Sequence, residues 1–209
     1  MADVVIYGLA PSTYTRTARL ACEEKGVPHR LEEIEIGSAR NFSMHPFGKI
    51  PILEHGDARV FETFAIARYI DEAFKGPALQ PADAKARALM TAWISAVLDY
   101  AYPVIVRGLI LPRLVFPRRG VPVDEAAVKA NLPKVEQVLK ALDGALATNR
   151  YFAGDAMSLA DLFVLPILPY VGMTEEGRPL LAQCTRLSRW QDTMLARKSA
   201  PATEPKLAA

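Results

Sequence analysis

Apolar positions along this chain follow two rhythms, and the change between them falls near residue 80. Val4-Val5-Ile6-Tyr7 is a short apolar run that gives way to a loop from Gly8 to Tyr14, then to a helical pattern from Thr15 to Lys25 that Gly26 stops. The spacing predicts strand, loop and helix in that order. Pro28 to Ile36 alternates imperfectly through Leu31, Glu33, Ile34 and Ile36 and reads as a second strand. A hairpin through His55-Gly56-Asp57 follows Pro51, and Phe64, Ile66, Ala67 and Ile70 mark a helix from Thr63 to Phe74. The order βαβ, then ββα, predicts a small mixed sheet with helices packed on it.

Two prolines and a glycine stand between Lys75 and Pro81, and beyond them no strand pattern recurs. The expected domains are therefore 1–76, mixed α/β, and 83–200, all-helical. From Ala82 to Tyr102, Leu89, Trp93, Val97 and Tyr100 mark one helix face, while Met90, Ile94 and Leu98 make the opposite face apolar as well. Such a helix is buried or lines a cleft. Pro103, Pro112 and Pro117 are expected to kink or interrupt its continuation to Phe116. A second helix is expected from Asp124 to Thr148, bent or started near Pro133. Met157-Ser158-Leu159-Ala160-Asp161-Leu162 carries a capping box and a hydrophobic staple, which makes Asp161 structural. A last helix, Leu187 to Lys198, precedes a Pro/Ala/Lys tail expected to be disordered.

Composition narrows the function classes. In 209 residues the net charge is only +2, with no half dominated by either sign, which does not predict nucleic-acid binding. Cys22 and Cys184 fit no metal or redox spacing, and His29 and His55 suggest no metal site, so a reducing compartment and no metal are expected. With neither a signal peptide nor an apolar run of about 18 residues, the expectation is a cytoplasmic protein without a membrane span.

The candidate chemistry lies between Met44 and Thr63. Proline removes a ladder donor and can take a cis bond, so Pro51 at a strand's start leaves the preceding backbone free to pair with something else. Glu62-Thr63 opens a helix, where N–H groups attract an anion and an adjacent carboxylate attracts a cation. Nearer the N-terminus, Ser12 or Thr13 is placed to cap the first helix.

With the loop SxxTR at Ser12 to Arg16, the segment His45-Pro46-Phe47-Gly48-Lys49-Ile50-Pro51, the hairpin, Phe61-Glu62-Thr63 leading into Ala65-Ile66-Ala67-Arg68-Tyr69-Ile70, the linker and the capping box in view, the chain resembles the cytosolic glutathione transferases. The likeness covers nearly all of it and is nearest to the serine-using groups, phi-type and related bacterial enzymes. It implies a thioredoxin-like α/β domain holding glutathione, an all-α domain supplying the electrophile pocket, and a homodimer. In the family pattern Pro51 is cis, the Ile50 backbone pairs with the cysteinyl part of glutathione like an added strand, and Lys49 helps to hold the tripeptide's carboxylates. Glu62 matches the contact to the γ-glutamyl ammonium, and Thr63 the contact to its carboxylate.

Ser12 matches the family's activating serine, a donor to the thiolate and neither nucleophile nor base. Tyr7, Thr13 and Tyr14 are competing hydroxyls. Lowering a thiol pKa from about 8.5 to about 6.5 raises the thiolate fraction at pH 7 about 25-fold. A Brønsted slope of about 0.4 to 0.5 returns roughly 6- to 10-fold of that as lost nucleophilicity. Most acceleration must then come from placing the thiolate beside the electrophile. The loop holds no cysteine, which argues against the cysteine-using thiol reductases of the family, and Cys22 reads as a small core residue. The chain departs from the phi-type pattern where a basic pair holds the glycyl carboxylate, since Ile36 and Gly37 stand there; Arg40 and His45 are the substitutes at hand, His45 reading otherwise as a surface histidine.

For the electrophile pocket, Tyr100, Tyr102, Val106, Arg107, Ile110 and Phe163 are candidates, with helix-core packing as the equal alternative. Phe47 matches an aromatic dimer key, with packing on its own sheet as the alternative. The leading function is conjugation of glutathione to hydrophobic electrophiles, with peroxide reduction as an accompanying activity. A glutathione-dependent isomerase, reductase or lyase comes second, and a non-catalytic binding protein third.

Overall fold

The computed structural model describes residues 3–205. The chain divides into two compact units, one formed by residues up to Gln80 together with those from Leu195 onward, the other by Pro81–Met194. The division falls in the expected linker, but the C-terminal segment groups with the first unit instead of the helical one, unlike the expected boundary at 200.

In the first unit β1 (Val4–Tyr7), α1 (Thr13–Lys25), β2 (His29–Glu32), α2 (Ala39–Met44), β3 (Ile52–His55), β4 (Ala58–Phe61) and α3 (Thr63–Ala73) follow one another. The four strands form one sheet in the order β2-β1-β3-β4, with β1 and β2 parallel and the other two pairs antiparallel. Alternation along the strands sends Val5, Tyr7 and Ile52 into a cluster with Ile34 and with Met44 of α2. Ile6 and Leu53 point to the other face, which α1 and α3 cover. Gly26 ends α1 with φ 74°, the left-handed conformation that a residue with a Cβ adopts at a cost.

A buried ion pair, Lys25 Nζ to Asp71 Oδ1 at 2.7 Å, joins the end of α1 to α3. Asp71 also accepts the Leu79 N–H at 2.8 Å and the Gln80 amide at 3.0 Å, which ties the linker down. Burial works against the Asp71 carboxylate, but these partners prevail and hold its pKa below the usual value.

The tail expected to be disordered is ordered as far as residue 205. α10 (Ser199–Ala202) lies on α1, where Arg16 Nη2 donates to the Ala200 carbonyl at 3.2 Å and Arg197 Nε donates to Glu24 Oε1 at 2.6 Å. Backbone acceptors at a helix end and buried guanidinium partners hold it there, which apolar periodicity does not register. The remainder, 206–209, lies outside the described residues.

The helical unit begins with α4 (Ala84–Ala96), which runs on as Val97–Val115 in wider, π-type winding. The prolines were expected to kink or interrupt this helix; Pro103 and Pro112 lie inside it, in the stretch where the winding widens. A proline costs a helix one amide donor, and a wider turn re-routes neighbouring bonds around that gap. The short turn Pro117–Arg119 does end the run. By length and composition alone Ala84–Val115 is apolar enough to cross a membrane, with only Asp99 and Arg107 in its apolar middle. It packs instead against α5 (Glu125–Ala145), and against α6 (Leu159–Val164) and α7 (Leu168–Met173). Asp124 caps α5 by accepting the Ala127 N–H at 2.9 Å. α8 (Gly177–Ala182) and α9 (Thr185–Leu195) complete the order.

Asp161 organises this unit. Its carboxylate accepts the Ser158 N–H at 2.8 Å, the Trp190 Nε1–H at 2.9 Å, the Ser158 hydroxyl at 3.2 Å and the Phe152 N–H at 3.3 Å. Burial pushes its pKa up to about 6 against the pull of those donors. Asp161→Ala strands several buried donors at about 1–3 kcal/mol each, so urea unfolding is expected to show a loss of about 3–5 kcal/mol. A loss below about 1 kcal/mol would show that water replaces the carboxylate.

Candidate functional site

Strand register brings the candidate residues of the first unit to one end of the sheet. Tyr7 pairs with Ile52, and Ile52 pairs with Phe61. The residues after Tyr7, those before Ile52 and those after Phe61 therefore leave the sheet at the same end. These are the Ser12 loop, Lys49-Ile50-Pro51, and Glu62-Thr63.

Ser12 is the N-cap of α1, with φ −69° and ψ 125°, and its Oγ accepts the Thr15 N–H at 3.3 Å. Capping occupies a lone pair and leaves the hydroxyl proton to be donated. Thr13 is buried, and Tyr14 is half-buried and partnered. Tyr7 is placed differently from its reading as a competing activator: its hydroxyl donates to Glu54 Oε2 at 2.8 Å across the sheet, and the Arg40 guanidinium sits 5.4 Å from its ring centre. Burial and the Glu54 carboxylate both raise the Tyr7 pKa, which suits a spent donor and not a poised one. Cys22 is buried in α1, and burial pushes its thiol up to about 12, so it is an inert core residue.

The Ile50–Pro51 peptide is cis. Ile50 lies beyond the end of the β1–β3 ladder and packs partly on the Tyr7 and Met44 cluster. Lys49 is exposed, but its carbonyl is held by Asn41 Nδ2 at 3.0 Å, and Asn41 Oδ1 accepts the Gly37 N–H at 2.9 Å. Asn41 is wholly buried and braces the approach to Pro51, a role without any local sequence signal. Glu62 is exposed and holds φ 69°, the sole non-glycine positive φ among the described residues. It precedes α3 without a side-chain cap, while Thr63 is buried at the helix's first position.

Neither expected substitute for the missing basic pair stands free. Arg40 reaches Glu32 at 3.4 Å besides the Tyr7 ring. His45 is buried and not a surface histidine, with Nε2 3.9 Å from Glu62 Oε1. Sequence reading takes a histidine before proline as polar and therefore exposed; only the packing of Phe47 and Phe61 around it shows otherwise. Among the described residues no group of three His, Cys, Asp or Glu side chains is placed to hold a metal ion.

In the helical unit, Tyr100 is exposed, and the Arg107 guanidinium lies 5.6 Å from the Tyr102 ring centre. Val106, Ile110 and Phe163 are buried, as helix-core packing requires.

Comparison with known proteins bears on the family and the fold. The pattern of the glutathione S-transferase N-terminal domain matches residues 11–73 and that of the C-terminal domain residues 88–198. Glutathione S-transferase F14 of Arabidopsis thaliana is 34% identical over 192 residues, 87% of this chain and 75% of its own length. Glutathione S-transferase 4 of Zea mays is 32% identical, with 94% and 90% covered. Among solved structures, glutathione S-transferase III in apo form superposes with a TM-score of 0.89 at 29% identity, covering 100% of this chain and 99% of its own. Glutathione S-transferase I from maize, in complex with an atrazine–glutathione conjugate, does so with 0.87 at 25% identity, covering 97% of each. Built from a thioredoxin-like unit and an all-helical one, and akin in sequence to phi-like plant enzymes, the chain belongs to the glutathione S-transferase family.

Proposed function

We propose that this chain transfers the thiolate of glutathione to a hydrophobic electrophile, with Ser12 as the hydroxyl that stabilises the sulfur. The observation that carries the reading is the convergence of the Ser12 loop, Lys49-Ile50-Pro51 and Glu62-Thr63 at one sheet end through the Tyr7, Ile52 and Phe61 register. Ile50, unpaired beyond the ladder, offers its backbone to the cysteinyl peptide as a strand would. Glu62 meets the γ-glutamyl ammonium, Thr63 and the N-terminus of α3 meet its carboxylate, and Lys49 supplies positive charge for the remaining carboxylate.

Ser12 then donates to the sulfur while its lone pair caps α1. This favours the thiolate over the thiol, and the proton leaves to solvent. The chemical step is attack of that sulfur on an electrophilic carbon, where the C–S bond forms as the leaving group departs with its electron pair. In the accompanying reduction the sulfur attacks a peroxide oxygen, the O–O bond breaks to release an alcohol, and a second glutathione converts the sulfenic acid to glutathione disulfide and water. Tyr100, Tyr102 and Arg107 are the residues of the helical unit proposed to meet the electrophile, since Val106, Ile110 and Phe163 are committed to packing. A second copy of this chain is the proposed partner: Phe47, matched to an aromatic dimer key, exposes 66% of its surface.

Kinetics with 1-chloro-2,4-dinitrobenzene test the assignment. Ser12→Ala is expected to raise the pKa of the bound thiol by about two units and to lower turnover at pH 7 about two- to fourfold. An unchanged thiol pKa with unchanged turnover would remove Ser12 from the role. Tyr7→Phe is expected to leave turnover within about twofold, because that hydroxyl serves Glu54. A drop of about threefold or more, with a raised pKa of the bound thiol, would return activation to Tyr7.

A further inference from the structure

His45 terminates α2, its own N–H donating to the Asn41 carbonyl at 2.9 Å. The ring is only 2% exposed and packs against Phe61, with ring centres 5.0 Å apart, and Phe47, at 6.1 Å. The Phe47 N–H donates to Nδ1 at 3.1 Å. That bond needs the lone pair on Nδ1, so the neutral ring carries its proton on Nε2. Nε2 in turn faces Glu62 Oε1 at 3.9 Å, a gap that a small rotation of the exposed Glu62 side chain closes to a hydrogen bond.

We propose that His45 is a positioning residue for Glu62: its neutral Nε2–H steers the carboxylate toward the ammonium of glutathione without cancelling the charge that the ammonium needs. The inference rests on the reading of Glu62 as the γ-glutamyl contact. An exposed glutamate has several rotamers, and binding must otherwise select one of them at an entropic cost. A buried, tautomer-fixed donor makes that selection beforehand. A lysine or arginine in the same place would neutralise Glu62 and compete with the ligand.

The arrangement makes glutathione binding sensitive to acid. Burial holds the His45 pKa below its ordinary value; Glu62 draws it up and Lys49 pushes it down, and these are the charged groups that face the ring. Above that pKa the ring is neutral and Glu62 is available. As pH falls through it, the imidazolium pairs with Glu62 and loses the acceptor for Phe47, so affinity for the ammonium falls.

The test is titration calorimetry of the full chain with glutathione, alongside turnover of 1-chloro-2,4-dinitrobenzene, from pH 5 to 8. His45→Leu fills the pocket without a donor and is expected to raise the Kd and KM for glutathione about tenfold at pH 7.5, with kcat within about twofold. His45→Gln keeps a donor and is expected to stay within about threefold of the parent Kd. The parent's Kd is expected to rise between pH 6.5 and 5, and that of His45→Gln to stay flat. An unchanged Kd in His45→Leu, or the same pH dependence in parent and His45→Gln, overturns the proposal. Should His45→Leu fail to fold, the comparison of parent with His45→Gln decides it. A parent chain that binds no glutathione overturns the reading of Glu62 itself, whereas a parent that binds, with variants indistinguishable from it, overturns only the role of His45.

Discussion

The candidate site depends on the antiparallel register of β3 with its two neighbours. Because Ile52 pairs with Tyr7 on one side and with Phe61 on the other, three chain segments far apart in sequence leave the sheet side by side. A slip of one residue would reverse which side chains of β3 face the cluster of Val5, Tyr7 and Met44, so burial of that cluster also fixes the register. Packing on both faces of the sheet thus determines the position of a polar site that neither face contains. The same register sets Ser12, Ile50 and Thr63, the residues of the proposed chemistry, at neighbouring strand ends.

Around that sheet end, polar groups brace the backbone. Asn41 ties Lys49 to Gly37, and Asn41 is itself held by the Ser38 cap of α2, which accepts its N–H at 3.1 Å. Glu62 keeps a backbone conformation that costs a non-glycine residue about 1–3 kcal/mol. It is sustained on both sides, by the β4 ladder before it and by the α3 bond from the Ile66 N–H to the Glu62 carbonyl after it, at 2.9 Å. A glycine would relieve the strain and forfeit the carboxylate.

What could be read from the sequence was what short-range rules encode. The hairpin around Gly56, the stop at Gly26, the capping box at Ser158 and the break near Pro77 each leave a signal within a few residues. What could not be read depends on partners distant in the chain. Tyr7 meets Glu54 only through sheet pairing, 47 positions away. Arg16 belongs to the SxxTR loop in sequence but is spent on the carbonyl of Ala200, so the tail's order was invisible to a periodicity argument. Pro103 and Pro112 change the winding of their helix without ending it, since the rule that prolines break helices assumes α-type bonding to the fourth residue back. His45 misled because a histidine's burial follows from its neighbours' shapes, here two phenylalanines, and not from its own polarity.

The same distinction between local and distant partners explains why the departure from the phi-type basic pair is tolerable. A charge at Ile36 or Gly37 would act on the glycyl end of a bound tripeptide, whereas the contacts proposed for Ile50, Glu62 and Thr63 are to its cysteinyl and γ-glutamyl parts. Recognition by a strand-like backbone contact and a helix N-terminus is short-ranged and geometric, and it does not weaken when a peripheral charge is lost. A peripheral charge in water adds little on its own, because solvent and salt screen it. Loss of the pair therefore falls on the salt dependence and the on-rate of glutathione binding. In the proposed reaction, orientation of the thiolate carries most of the rate, and it falls to the sheet end and to the N-terminus of α1, which Ser12 caps.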